Sequence, residues 1–240
     1  MKIVMPIAGR GSRFKEAGFA EPKPLIKILG KTMVEWALEC IDYKPEGLIF
    51  ICLKDHIDRH HIDKHLRSLF SDRIAIVTTD GVTEGAACTV LLARDLIDND
   101  EECIIYNSDQ YFKAPLTEAI QNRREEVTGI IPVFQATHPK WSYARLGADG
   151  YVAEVAEKVP ISTHATVGLY YFARGRDCVW AIDQMMVKDI RRNNEFYVCP
   201  IYNELIQRGD KIDILESEFM WGLGTPEDVE YFEKYYRQDS

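Results

Sequence analysis

The sequence predicts a three-layer α/β protein, doubly wound about a mostly parallel (mixed) sheet, and three observations predict it. Apolar runs without polar alternation recur at 2–8, 48–53 and 103–106, the pattern of strands buried on both faces of a parallel sheet. Segments with apolar residues at helical spacing separate them, giving a β, α, β order that winds with right-handed crossovers. The 240 residues are enough for one large core, and no internal repeat, Pro/Gly/Ser linker or block of like charge marks a boundary. One domain over 1–240 follows, with two functional halves meeting at about 112.

The first strand, 2–8 (KIVMPIA), ends at the glycines of the next turn. Between 32 and 41, Met33, Trp36, Ala37 and Cys40 recur at helical spacing, and 48–53 is the second strand. A charged helix over 57–70, a strand near 74–78, a helix opening just after Gly85 and a strand at 103–106 continue the alternation. Beyond Asn107 the rhythm changes. A short helix near 116–123 leads to a strand at 127–134 and short strands at 143–146, 151–155 and 166–172, so this half reads as mixed rather than purely parallel. Helices at 177–190 and 195–208, a strand at 211–215 and an amphipathic helix from Pro226 complete the chain.

Composition excludes several classes of function. Apolar residues make up 46 % and charged residues 28 %, which fits a packed core and not a disordered or fibrous chain. With 29 Lys and Arg against 38 Asp and Glu, the net charge of −9 repels nucleic acid and anionic membranes. The six cysteines, at 40, 52, 88, 103, 178 and 199, form neither a CxxC pair nor a secreted disulfide framework and read as small buried hydrophobes. No apolar stretch approaches the roughly twenty residues of a membrane span, and a cytoplasmic location is expected.

The most informative segment is Ala8-Gly9-Arg10-Gly11-Ser12-Arg13-Phe14, followed by Pro22-Lys23-Pro24-Leu25. Two glycines after a buried strand let backbone N–H groups approach an anion, and Arg13 with Lys23 adds the positive charge a polyphosphate needs. A triphosphate cradle and a tight surface turn both account for the glycines. The segment is not the dinucleotide fingerprint, because Phe14 stands where the third glycine would fall and no helix is predicted to start at once. Gly30-Lys31-Thr32 is not a P-loop, because Leu25 stands where its first glycine belongs.

Asn107-Ser108-Asp109-Gln110 follows an apolar strand at the carboxyl edge of the predicted sheet, where open α/β folds bind ligands. A carboxylate there is well placed for a divalent metal, although a turn cap explains it as well. Lys158, in Val155-Ala156-Glu157-Lys158-Val159-Pro160, lies after a strand and before a proline, and taken alone it is a solvated strand end.

Company changes that reading. Pro6-x-Ala8-Gly9-x-Gly11-Ser12-Arg13, Pro22-Lys23-Pro24-Leu25-Ile26, Glu84-Gly85-Ala86, Asn107-Ser108-Asp109, Glu157-Lys158, Val167-Gly168-Leu169-Tyr170, Asn194-Glu195 and Trp221-Gly222-Leu223-Gly224-Thr225-Pro226 occur in the order and approximate spacing of sugar-1-phosphate nucleotidylyltransferases. The chain resembles that family from end to end, and most of all its bacterial members of capsule, lipopolysaccharide and other surface-glycan pathways.

The resemblance implies a Rossmann-like nucleotidyltransferase fold, with 1–112 binding the nucleotide and 113–240 the acceptor. It implies Mg²⁺ as cofactor, and a nucleoside triphosphate and a sugar phosphate as substrates. The backbone at Ala8, Gly9, Gly11 and Ser12 would wrap the nucleotide, Arg13 would bind the outer phosphates, and Lys23 would lie against the α-phosphate. Asp80, Glu84 and Gly85 would border the base, and Asp109 would hold the metal. Lys158 would grip the acceptor phosphate, while Gly168, Asn194 and Glu195 would face the acceptor's hydroxyls. Arg13, Lys23, Asp109 and Lys158 are then the catalytic set.

Two positions depart from the family pattern. Gly222 stands where members often carry an aspartate that completes the metal site. Either Asp109 then binds metal with phosphate oxygens and waters alone, or a carboxylate near in space, such as Glu216 or Asp228, substitutes. Gln110 replaces the hydrophobic or acidic residue common after the metal aspartate.

Other readings stay open beside this one: a cytidylyltransferase acting on a non-sugar phosphate, a glycosyltransferase using a preformed nucleotide sugar, and a non-catalytic nucleotide sensor. The glycosyltransferase is disfavoured because Asn107-Ser108-Asp109 has a single acidic member. A homodimer is the commonest oligomer for such a chain. His56, His60, His61 and His65 read as a solvated helix face, and Trp36, Phe50, Trp180 and Met185-Met186 as core stripes. His138-Pro139-Lys140-Trp141 is a loop that either packs Trp141 on the core or covers the acceptor site.

Overall fold

A computed structural model describes residues 1–236; the remaining positions of the predicted 1–240 domain lie outside the described residues. In chain order its elements are β1 (Lys2–Pro6), α1 (Ser12–Glu16), β2 (Lys27–Ile28), β3 (Lys31–Thr32), α2 (Met33–Leu38), β4 (Leu48–Leu53), α3 (Lys54–His60), α4 (Ile62–Phe70), β5 (Ala75–Thr79), α5 (Ala86–Val90), α6 (Arg94–Ile97) and β6 (Cys103–Tyr106). They continue as β7 (Gln110–Lys113), α7 (Leu116–Gln121), β8 (Val127–Gln135), β9 (Ser142–Leu146), β10 (Val152–Glu157), β11 (His164–Thr166), β12 (Leu169–Phe172), α8 (Gly175–Val187), α9 (Tyr202–Arg208), β13 (Lys211–Glu216), β14 (Phe219–Gly222) and α10 (Pro226–Tyr235).

The main sheet has ten strands in the order β10-β9-β11-β8-β12-β6-β1-β4-β5, with β13 paired parallel to β8. β1 runs parallel to both β4 and β6, and β4 parallel to β5, whereas β12 joins β6 antiparallel. The sheet is therefore mixed, and β1, β4, β5 and β6 all end along one edge.

Pleating sends successive β1 residues to opposite faces. Ile3 and Met5 pack with Val34, Ala37 and Leu66 of α2 and α4, while Val4 packs with Ala87 and Val90 of α5 and Ile182 of α8. These two cores make the outer layers, and apolar runs without alternation are what strands sandwiched in this way require.

Local chemistry sets several boundaries. Thr32 and Glu35 close a capping box at the start of α2, and Trp36 Nε1 donates to the Ile28 carbonyl at 2.8 Å, which ties the β2–β3 hairpin to the helix. Thr225 Oγ1 accepts from Asp228 N–H at 3.2 Å, and Pro226 fills the first turn of α10.

The structure corrects five expectations. A helix does start at once after the glycine turn, because Gly11 (φ +61°) caps α1 in a left-handed conformation. The helix expected at 57–70 begins at Lys54 and breaks at His61 (φ +51°), giving α3 and α4. His56 is then not on a solvated face: it is only 2 % exposed. The strand expected at 166–172 breaks at Gly168 (φ +79°) into β11 and β12. The helix expected from Glu195 begins later, with a 3-10 turn at Cys199–Ile201 leading into α9, because Arg192 and Glu195 exchange backbone hydrogen bonds in a tight turn of their own.

Trp36 and Phe50 are buried as expected, but Met186 is exposed. Among the described residues no group of three or more His, Cys, Asp and Glu is arranged to hold a metal, so the histidines of α3 and α4 form no such centre. No helix of the described residues is long and apolar enough to cross a membrane.

Candidate active site

A cavity of about 260 Å³ opens where β1 and β6 end. Arg13, Lys23 and Asp109 line it from the first half of the chain, and Trp141, Glu157 and Tyr197 from the second. A smaller recess beside it is lined by Gly11, Ser12 and Phe14 and shares Arg13, Lys23 and Gly224 with it.

The first wall follows from the glycine turn. Ala8, two residues past β1, is buried and Gly9 is exposed. At Gly11 a Cβ would stand 3.3 Å from Lys23 Cβ, so the turn packs directly on the lysine that follows Pro22. Lys23 Nζ donates to Asp109 Oδ2 at 2.6 Å, both side chains being about four-fifths buried (22 % and 21 % exposed). Leu223 N–H donates to the Asp109 carbonyl at 2.8 Å and so holds the β14 turn against this residue.

Asp109 Oδ1 is buried and has no hydrogen-bond partner among the described residues. A desolvated carboxylate oxygen with no donor aimed at it suits a hard divalent cation such as Mg²⁺, which takes oxygen ligands and supplies no proton of its own.

Across the cavity stands Lys158, a non-glycine residue in the left-handed region (φ +55°). Its Nζ donates to Tyr197 Oη at 2.6 Å and lies 4.3 Å from the centre of that ring. Tyr197 Oη in turn donates to Glu195 at 2.5 Å. Burial, followed by this bond to Glu195, pushes the Tyr197 phenol upward from its ordinary pKa. Deeper in, Ser142 Oγ donates to Glu157 Oε2, and burial of the Glu157 carboxyl raises its pKa.

The turn before α5 is locked to the second half. Phe196 N–H donates to the Glu84 carbonyl at 2.8 Å, Ala87 N–H donates to the Phe196 carbonyl at 3.0 Å, and Arg191 pairs with Glu84 at 2.6 Å. Gly85 permits this contact. Its φ is +131°, and a Cβ there would lie 2.4 Å from the Phe196 carbonyl oxygen. Gly168 plays a similar part on the far wall, where a Cβ would meet Gln110 Oε1 at 2.8 Å.

Of the residues singled out by sequence, Arg13, Lys23, Asp109 and Gly168 line the cavity, and Gly11 and Ser12 line the adjoining recess. Lys158 and Glu195 reach it through Tyr197. Asp80 and Asn194 are exposed and line no part of it, and the Glu84 side chain turns outward to Arg191. Of the two carboxylates considered beside Gly222, Glu216 lies elsewhere, near His164 and Gln135, whereas Asp228 lines the cavity.

Tyr197 and Ser142 were not anticipated in the cavity, whereas Lys140 belongs to the loop expected either to cover it or to pack on the core. Trp141 lines it as well, its ring edge-on to Phe134 at 5.4 Å, so the loop covers the site and packs against an aromatic at the same time. The aromatic and the basic residue of that loop were the signal available in the sequence.

Comparisons with known proteins bear on the family and the fold. The family model described as nucleotidyl transferase matches residues 2–231. A low-salt glycan biosynthesis nucleotidyltransferase, Agl11 of Haloferax volcanii, is 25 % identical over 95 % of this chain and 64 % of its own length. The UTP–glucose-1-phosphate uridylyltransferase of Haemophilus influenzae is 22 % identical over 93 % of each chain. The crystal structure of a nucleoside-diphosphate-sugar pyrophosphorylase from Vibrio cholerae RC9 superposes with a TM-score of 0.79 at 26 % identity, covering 97 % of this chain and 99 % of that one. This chain spans 64 %, 53 % and 54 % of the length of three curated relatives that it matches. A match across nearly every residue of the fold and both walls of the cavity shows that the chain belongs to the nucleotidyl transferase family.

Proposed function

We propose that this chain transfers a nucleoside monophosphate from a nucleoside triphosphate to a sugar phosphate, releasing pyrophosphate, in the synthesis of precursors for capsule or other surface polysaccharide. The single observation that carries the reading is that Lys23, Asp109 and Arg13 gather on one wall of a cavity whose other wall presents Lys158 through Tyr197. The triphosphate lies along the Gly11 turn with Arg13 on its outer phosphates, and the acceptor phosphate is met by Lys158. The halves 1–112 and 113–240 hold nucleotide and acceptor respectively.

An oxygen of the acceptor phosphate attacks the α-phosphorus, a new phosphoanhydride bond forms, and the bond to the β-phosphate breaks to release pyrophosphate. Both reactants are anions. Catalysis is therefore mostly positioning and neutralisation of charge, as in phosphoryl transfer generally. Lys23 stabilises charge at the α-phosphate, Arg13 the departing pyrophosphate, and Lys158 holds the attacking group. A phosphate monoester is already ionised near neutral pH, so no side chain is needed as general base. Mg²⁺ held by Asp109 would offset the charge of the phosphate oxygens when bound.

The test is a matrix of CTP, UTP, GTP and dTTP against phosphorylated sugars and non-sugar phosphates, scored by pyrophosphate release. Release with a sugar 1-phosphate supports the reading. Release with a non-sugar phosphate alone would assign the cytidylyltransferase alternative, and no release with any pair would overturn the activity.

A further inference from the structure

We propose that Asp228 is the second acidic ligand of the metal site, replacing the carboxylate that Gly222 lacks, and that Lys140 is the cation that competes with metal for it. The proposal rests on the nucleotidyltransferase reading. The reason for the glycine is steric. A Cβ built at Gly222 would stand 2.9 Å from Trp141 Cη2, so no larger side chain fits while the ring holds its place over the cavity.

The same point lies 3.8 Å from Asp228 Cγ. The Asp228 carboxyl thus reaches the space that a side chain from position 222 would enter, though it arrives from the first turn of α10 instead of from β14. Gly224 gives a second measure of the convergence. A Cβ there would be 3.2 Å from Asp109 Oδ2 and 3.9 Å from Asp228 Oδ2, so the two carboxylates face one small volume above a residue with no side chain.

Each carboxylate already has a lysine. Lys23 Nζ is 2.6 Å from Asp109 Oδ2, and Lys140 Nζ is 2.9 Å from Asp228 Oδ1. Asp109 Oδ1 stays buried and without a donor. Lys140 sits in the loop that carries Trp141 and lies 4.5 Å from that ring's centre. A cation held by Asp109 and Asp228 would compete with Lys140 for the Asp228 carboxylate and so couple metal binding to the loop that carries Trp141.

Titration of the whole chain with Mn²⁺ alone, read by the EPR signal of free Mn²⁺, tests this without turnover. Removing a metal ligand or its support weakens binding by about tenfold or more. Asp109→Asn and Asp228→Asn are each expected to do so, and Lys140→Met to tighten binding severalfold. If Asp109→Asn weakens binding and Asp228→Asn does not, the proposal falls and Asp109 alone holds the metal, leaving the proposed function standing. If neither changes it, both the metal site and the proposal fall. Lys140→Met leaves Asp228 and its helix cap untouched, so unchanged or weaker Mn²⁺ binding in that variant overturns the competition even where Asp228→Asn does not fold.

Discussion

Lys23 and Asp109, far apart in sequence, meet through a 2.6 Å hydrogen bond just beyond the adjacent ends of β1 and β6. Parallel pairing of those strands delivers both residues to one edge. Each side chain keeps about a fifth of its surface exposed to solvent, which screens the pair, and its value lies in the reaction. Lys23→Ala and Asp109→Ala should each lower turnover by about a hundredfold to a thousandfold with melting temperature nearly unchanged. Steady-state pyrophosphate release and a thermal melt on the same preparation check this, and near-normal turnover in both would remove the mechanism.

Lys158 should act on the acceptor alone. Losing a hydrogen bond from a charged donor costs about 1.5–3 kcal/mol, so Lys158→Met should raise the acceptor KM by about ten- to a hundredfold while leaving the triphosphate KM within about twofold. Tyr197→Phe keeps the ring beneath the ammonium and drops only the hydroxyl, so its acceptor KM should fall between wild type and Lys158→Met. Equal effects on both substrates would contradict the assignment.

Two glycines of the amino-terminal half should respond very differently to alanine. Gly85→Ala introduces a Cβ 2.4 Å from the Phe196 carbonyl oxygen at φ +131° and should destabilise by about 2 kcal/mol or more. Gly9 has an ordinary φ and nothing within 4 Å of its Cβ position, so Gly9→Ala should unfold within about 0.5 kcal/mol of wild type. Urea denaturation of the two variants measures the contrast.

His56 gives the fold a titratable weak point. Burial, with help from nearby Lys15, holds its imidazole below the usual value, and neither ring nitrogen has a hydrogen-bond partner among the described residues. The folded chain therefore binds fewer protons here than the unfolded chain does. The stability present above about pH 6.5 is lost as pH falls through the lowered folded value, at up to about 1.4 kcal/mol per pH unit. His56→Leu should flatten that loss between pH 7 and 5 and leave stability at pH 8 equal or higher, because a buried polar atom without a partner is removed. Melting temperatures across that range check it; a loss as steep as that of wild type would show that another group is responsible.

Much of the fold was legible where one short stretch carries the whole signal. The strands at Leu48–Leu53 and Cys103–Tyr106 fall where the apolar runs are, and α10 begins at the proline that opens it. The missing elements depend on distant partners. β7 exists because Tyr111 and Phe112 pair with Trp221 and Met220 of β14, a match that no local window contains.

The candidate site divided in the same way. Glycines and lysines at the end of the first strand announce themselves, because phosphate chemistry asks for those residue types in that order. Tyr197 gave no such signal, since a tyrosine beside a phenylalanine before a cysteine reads as core. Asp228 and Glu216 were equal candidates in sequence to replace the carboxylate missing at Gly222, and only the fold, which puts the start of α10 beside the cavity and Glu216 near His164, separates them. His56 was misread because the break at His61 rotates the first part of the predicted helix inward.

The backbone clasp between Glu84, Ala87 and Phe196 has a bearing on how such a protein could be re-engineered. A hybrid that grafts the amino-terminal portion of one relative onto the carboxyl-terminal portion of another would have to rebuild this seam, since the turn at Gly85 takes its shape from a carbonyl contributed by the other parent. Redesigning either portion is for that reason one problem, to be solved on both sides of Gly85 together.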